Sequence, residues 1–314
     1  MKLYPSVVSA LFSITLPVFG QADTLEHEII ISSGVKHDSK LTVAEVDDVS
    51  TNADSALTFE GAVKLTWQAT ENFTVKGGVS HQQTRYQQYH EYDLILNRLN
   101  TDISYKFADY TIGANHYYID AKLDKRDFLS LNQSSIYGSK LYNNKYLIRV
   151  SGELQNKKLT NQPTRNAQNI ASSISSFIFF NQFNSFLSFT GNISNEKAKD
   201  NQFSYQGLRF QALASHKFTA YDFNQQLQLA LRYDKKHYSS SESLTQNPTL
   251  EQPQDYTTNN TRKDNSQVAN FSWLINLNNI WSLDSEFELG KYQSNNAALN
   301  YHESVTSVKL KARF

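Results

Sequence analysis

The 314-residue chain contains no cysteine, one methionine, five prolines and eleven glycines. Without cysteine there is no disulfide framework, so an exported fold must be held by other means. Neither charge is in surplus. The 30 Lys and Arg balance 30 Asp and Glu, which removes the basic signature that would point to nucleic acid. After the N-terminal 22 residues, no stretch approaches the roughly eighteen apolar residues that a membrane-spanning helix needs. Metal-ligand clusters and phosphate-cradling loops are also missing, because Gly77-Gly78 sits inside an alternating segment. No cofactor is expected. Mean hydropathy is low, at −0.55, and Asn, Gln and Ser are abundant. Those facts alone fit a disordered chain, but 19 Phe, 18 Tyr and 3 Trp do not.

Residues 1–22 have the layout of a secretory signal peptide. Lys2 supplies a positive start, residues 7–19 are almost wholly apolar, and Gly20-Gln21-Ala22 places small residues ahead of a cut after Ala22. The apolar stretch is too short to cross a bilayer as a helix. Residues 23–314 are then expected to form a single exported domain, because no linker divides them.

Short polar turns bracketed by aromatic rings recur along the chain. They are Trp67 to Phe73, Phe107 to Tyr110, Tyr142 to Tyr146, Phe180 to Phe186 and Phe218 to Phe223, with a later one before Trp281. Their spacing of roughly 37 residues is that of a hairpin and not of a sequence repeat. Between them the side chains alternate. Leu57, Phe59, Val63, Leu65 and Trp67 oppose Thr58, Glu60, Lys64 and Thr66, while Leu227, Leu229, Leu231 and Tyr233 oppose Gln226, Gln228, Arg232 and Asp234. A period of two predicts strands throughout. About fourteen segments alternate, starting near residues 25, 57, 73, 92, 110, 129, 145, 168, 186, 203, 224, 265, 282 and 301. The count falls to twelve if 129–141 and 168–180 are not strands. Longer polar links alternate with the short turns, at 42–55, 87–91, 124–128, 160–167, 196–202, 239–264 and 294–300. The longest contains Pro248 and Pro253 and has no strand signal.

An even number of strands, with short turns at one end and longer links at the other, predicts an all-β, antiparallel up-and-down transmembrane β-barrel with both termini on the short-turn side. In hydrocarbon an unpaired backbone group is expensive, so the sheet must close on itself. Aromatics beside the turns match an interfacial belt, with Tyr86, Tyr89, Tyr92, Tyr117, Tyr118, Tyr205 and Tyr238 among those that would supply the opposite one. A soluble sandwich does not need rings at one end of nearly every hairpin.

The chain ends in SVKLKARF, residues 307–314, with Val308, Leu310, Ala312 and Phe314 on one face and Lys309, Lys311 and Arg313 on the other. A signal peptide, alternating segments of about ten residues and a last strand ending in Phe314 together resemble the outer-membrane β-barrels of Gram-negative bacteria. The resemblance implies that Phe314 is an assembly signal read by the barrel-assembly machinery and that periplasmic chaperones escort the chain. It also implies residence in the outer membrane among lipid and lipopolysaccharide. The size is similar to that of the monomeric fourteen-stranded porins, which implies a monomer. Arg262-Lys263-Asp264, and Ser294-Asn295 ahead of Tyr301, look similar to the last strands of surface-lipoprotein assembly modifier barrels. Residues 1–22 hold no helical repeat of the kind that family carries before its barrel.

If the apolar face meets lipid, the polar face lines a lumen. Its candidate residues are Lys64, Lys76, Arg98, Lys106, Arg149, Arg209, Arg232, Glu286, Glu288, Lys309, Lys311 and Arg313, with Lys145, Lys217, Glu60, Asp102, Glu153, Asp234 and Asp284 alongside. The wall leans basic and would mildly favour anions, unless the charges pair across strands and simply fill the interior. Asp284, Glu286 and Glu288 are expected to face Lys309, Lys311 and Arg313 as a ladder across the last two strands. The leading expectation is a porin-like channel for passive diffusion of small polar or anionic solutes or saccharides, with the 239–264 link as a lid or plug. The alternative is a non-conducting barrel for surface display, adhesion or export of a partner. A third reading, a lipid hydrolase, rests on the His-x-Ser spacing of His302 and Ser304, since a serine can be activated by a neighbouring base. Asp234 with His237, or Asp47 with Asp48, would offer a proteolytic acid and histidine site. No third orienting residue accompanies His302 and Ser304, loop carboxylates are more often solvated or bridged by divalent cations, and no enzyme is expected.

Overall fold

The computed structural model describes residues 24–239 and 261–314. The expected signal peptide and most of the 239–264 link lie outside these residues. Fourteen long strands form one closed antiparallel barrel. In chain order they are β1 (Thr24–Asp38), β2 (Asp54–Gln68), β3 (Phe73–Tyr86), β4 (Leu94–Phe107), β5 (Tyr110–Leu123), β6 (Arg126–Tyr142) and β7 (Tyr146–Leu159). The second half comprises β8 (Ala167–Phe180), β9 (Ser185–Ala198), β10 (Tyr205–Ala220), β11 (Phe223–Tyr238), β12 (Lys263–Asn276), β13 (Trp281–Ser294) and β14 (Tyr301–Arg313). Each strand pairs with its sequence neighbour, and β14 pairs with β1. The two segments in doubt, 129–141 and 168–180, are both strands, which fixes the count at fourteen.

Alternation along each strand becomes an inside and an outside. Ile136, Ile170, Ile193 and Leu25 stand on the outer surface at 62–71% exposure, while Arg232, Asp234, Asn270 and Gln228 are buried within. In water this would be an inverted protein, because each exposed large aliphatic side chain forgoes roughly 1.5–3 kcal/mol of transfer free energy. Hydrocarbon around the barrel removes that cost. It also explains why no backbone edge is left open.

Closure accounts for the unusual C-terminus. The Phe314 amide donates to the Ile29 carbonyl at 2.9 Å, and the Ile29 amide donates back to the Phe314 carbonyl at 2.9 Å. The last residue is therefore a ladder member whose ring lies outside, at 60% exposure. Gly34 sits tight against the closing partner, where an added Cβ would collide with the Val308 carbonyl and lie 2.7 Å from Lys309 Cα.

Three local expectations are corrected. The predicted long link at 124–128 is a tight turn, because Asp124 and Lys125 both adopt positive φ (49° and 62°) and a register shift at Ala121/Lys122 lets β6 start at Arg126. Paired left-handed residues are what a two-residue hairpin requires. Phe186 does not join the outer belt with Phe180. It points inward with Phe177, Phe179 and Phe183, ring centroids 5.1–6.4 Å apart, because the four-residue turn 181–184 places the two flanking rings on opposite faces. The acidic and basic ladder is reduced to one diagonal ion pair, Lys311 with Asp284. Antiparallel register sets Asp284 opposite Lys309, but Glu286 opposite Ser307 and Glu288 opposite Val305.

The seam yields a test. Gly34→Ala is expected to destabilise the refolded barrel by about 1–3 kcal/mol through overpacking. Gly61→Ala, with nothing within 4 Å of the new Cβ, should leave the detergent unfolding curve unchanged.

Candidate functional site

All twelve candidate lumen residues occupy the strand face opposite the exposed apolar side chains, as the pairings show for Lys64 beside Glu28 and Arg232 beside Gln211. Part of their charge is met locally. Glu28 binds Lys64 at 2.9 Å and Arg313 at 2.8 Å, and Lys311 binds Asp284 at 2.9 Å. Arg209 and Arg232 converge on Asp234, which also accepts from Ser266 at 3.1 Å. Arg149 stacks 3.5 Å over the Tyr137 ring, whose hydroxyl donates to Asp102 at 3.1 Å. Arg98 donates to Gln82, and Glu286 accepts from Asn270. Lys106 and Lys309 have no ion-pair partner among the described residues. Such pairing partly cancels the basic lean of the wall, because a carboxylate beside a cation weakens its long-range field.

The main departure from expectation is the first link. The expected polar link at 42–55 is a connection of residues 39–53 between β1 and β2, in which Leu41, Thr42 and Val43 are 1–2% exposed. They turn into the barrel mouth. Thr42–Val43 pairs with Asp48–Val49 around a short 3-10 turn at Ala44–Val46, and Asp47 closes the turn in the left-handed region at φ 56°. Val43 and Val46 pack on Leu94, Leu96, Ile119, Leu129, Leu131 and Leu159, the inward apolar ends of β4 to β7. Leu41 packs on Ala56 and Tyr86, and Val49 reaches Val268, Tyr292 and Tyr301 on β12 to β14. The segment thus touches both sides of the interior and crosses the mouth at the long-link end.

One carboxylate fixes where it crosses. Asp47 receives two hydrogen bonds from Arg262, at 2.8 and 2.9 Å, and one from Arg165 at 2.7 Å. Arg165 also donates to the Glu45 carbonyl at 3.3 Å and lies 3.9 Å over the Phe203 ring. Arg262 holds Asp264 at 2.7 Å and lies 4.4 Å over the Tyr238 ring. The forked Arg262 contact matches carboxylate geometry, which a lysine could not reproduce. Burial alone would push the Asp47 carboxyl up, but the two guanidiniums outweigh it and hold the group at about 2. The same contacts raise Arg262 against its own burial.

Sequence reading found Arg262 and Asp264 only through a family resemblance and placed Asp47 in a catalytic pair. It did not find Arg165 or the buried loop. A signal existed in the apolar positions Leu41, Val43, Val46 and Val49. A second lay in strand ends such as Leu94-Ile95-Leu96, apolar on both faces, which demand a partner inside as well as out. The hydrolase and protease pairs do not assemble. His302 and Ser304 share the outward face without a hydrogen bond between them, and the Ser304 amide is held by Ser39 Oγ at 2.8 Å. Asp234 points inward and His237 outward, while Asp48 accepts from the Tyr92 hydroxyl at 3.2 Å.

The anion-selective porin from Comamonas acidovorans superposes with a TM-score of 0.52 at 8% identity, over 93% of this chain and all of that one. In-vitro folded OmpT of Vibrio cholerae, in its trimer form, superposes with a TM-score of 0.54 at 7% identity, over 93% of this chain and all of that one. At such identities the likeness is one of fold, that of an outer-membrane β-barrel. No curated protein sequence matches the chain. The profile of the family described as surface lipoprotein assembly modifier matches residues 33–314. The chain therefore belongs to the surface lipoprotein assembly modifier family.

Proposed function

We propose that this barrel serves the assembly of a lipoprotein at the cell surface and rests closed, in place of passing small solutes through an open lumen. The observation that carries this reading is the buried first link, residues 39–53, seated across the outer mouth by an apolar contact on β4 to β7 and by Asp47 between Arg165 and Arg262. Family membership supports the cargo class. A loop folded into a lumen can tune the selectivity of a pore, but this one is seated on apolar clusters at both sides of the mouth. A barrel that must admit a polypeptide and stay sealed at other times gains from a plug held by a few separable contacts. The apolar contact supplies stability, and the ion pairs supply position, because removing one partner of a half-buried pair leaves the other charge poorly solvated. The outward Phe314 ring, at the end of the closing strand, fits the role of an assembly signal in the same scheme.

In a planar bilayer the native chain should stay mostly closed, and Arg165→Ala combined with Arg262→Ala should open long-lived steps. In cells the native chain should raise surface exposure of a co-expressed lipoprotein, measured by protease shaving. Steady steps from the native chain that the double variant leaves unchanged, with no effect on lipoprotein exposure, would instead mark a diffusion channel.

Acidity should act late. Asp47 lies below its ordinary 3.8, at about 2, so its stabilising contribution is fully present above about pH 4 and is lost only as pH falls through about 2. Closure measured by conductance should be flat from neutral pH down to about 4 and weaken below that. Opening at mildly acidic pH would show that another group holds the plug.

A further inference from the structure

The outward face carries a recess of about 1150 Å3 that is distinct from the lumen. Its floor follows one cross-strand row from β9 to β12, Phe189, Ala212, Leu231 and Ala269, each the direct partner of the next. Small side chains at Ala212 and Ala269 keep the floor low where neighbouring outward positions carry Phe210 and Phe271. Toward the long-link end the lining becomes polar, with Gln267 opposite Lys291 and Lys291 opposite His302, and Glu303 of the inward parity borders it beside His302. The recess therefore runs obliquely, from an apolar end at mid-wall to a cationic end near the rim.

Charge is segregated around it. Outward positions of β11 to β14 hold Lys235, His237, Lys263, Lys291 and His302 and no carboxylate, while Asp234, Asp264, Asp284, Glu286, Glu288 and Glu303 of the same strands face inward. Among the described residues no acid pairs with Lys235, Lys263 or Lys291. An apolar trough of this size on the hydrocarbon-facing wall suits acyl chains, and Lys291 at its rim end, with Lys235 and Lys263 on neighbouring strands, suits a phosphate.

We propose that this recess seats a phosphorylated, multi-acyl membrane lipid. Its chains lie along Ala212, Leu231 and Ala269, and its phosphate lies against Lys291 and His302, with Gln267 as a further donor.

The test is native mass spectrometry of the detergent-purified chain, using lipid A as the probe beside its dephosphorylated form and inorganic pyrophosphate. One phosphorylated lipid per barrel is expected. Lys291→Gln with His302→Gln should weaken binding about tenfold or more. Ala269→Trp, which fills the trough at a surface position, should also weaken it while circular dichroism shows an intact barrel. Lys158→Gln, an outward lysine on β7 away from the recess, should change nothing. Equal losses from Lys158→Gln would mean unspecific charge attraction and overturn the site, as would unchanged binding in the recess variants. Pyrophosphate competing as well as the lipid would reduce the site to an anion contact and overturn the lipid assignment.

Discussion

Every backbone amide that faces hydrocarbon must find its partner within the sheet, and this one constraint forces β14 onto β1. Once the sheet closes, strand parity has a meaning it lacks in an open sheet, because one face meets lipid and the other meets the interior. The reciprocal bonds of Phe314 and Ile29 and the close approach at Gly34 are the local signs of that closure. The segregation of charge follows as well. Carboxylates collect inside, where arginines, lysines and hydroxyls can reach them, and the outward rim keeps only its bases along β11 to β14.

The interior is not a simple water-filled tube. Ion pairs and hydrogen bonds join neighbouring strands along the wall, and at the long-link end an apolar cluster forms where Val43 meets the inward leucines of β4 to β7. An apolar core inside a barrel has the same origin as in any globular protein, since surface removed from water contributes about 25 cal/mol per Å2. What differs is its partner. The core is completed by a link between strands, so it can separate without breaking a single rung of the barrel ladder.

Legibility from sequence divides along the same line. The period of two, the aromatic-bracketed turns and the terminal alternation placed fourteen strand starts within three residues of those observed, because these features depend on neighbours in the chain. Non-local features were hidden. The rungs between β13 and β14 depend on register, and a shift sets Glu286 opposite Ser307 where a basic partner was expected. The direction of Phe186 depends on turn length. The first link read as polar because Asp47, Asp48, Asn52 and Asp54 dominate its composition, and the role of Leu41 and Val43 appears only when β4 to β7 present their leucines. The role of Asp47 was hidden because a paired acid in a loop gives no hint that two arginines, at residues 165 and 262, will meet it.

The absence of native cysteine permits a direct measurement of the seated link. Single cysteines placed at Val43 and at Thr51 in otherwise unaltered chains can be challenged on intact cells with a membrane-impermeant maleimide. Val43 is 2% exposed and Thr51 is exposed. The account predicts rapid labelling at 51 and almost none at 43. Equal rates at the two positions would mean that residues 39–53 stand out in solvent, and the closed mouth would be contradicted.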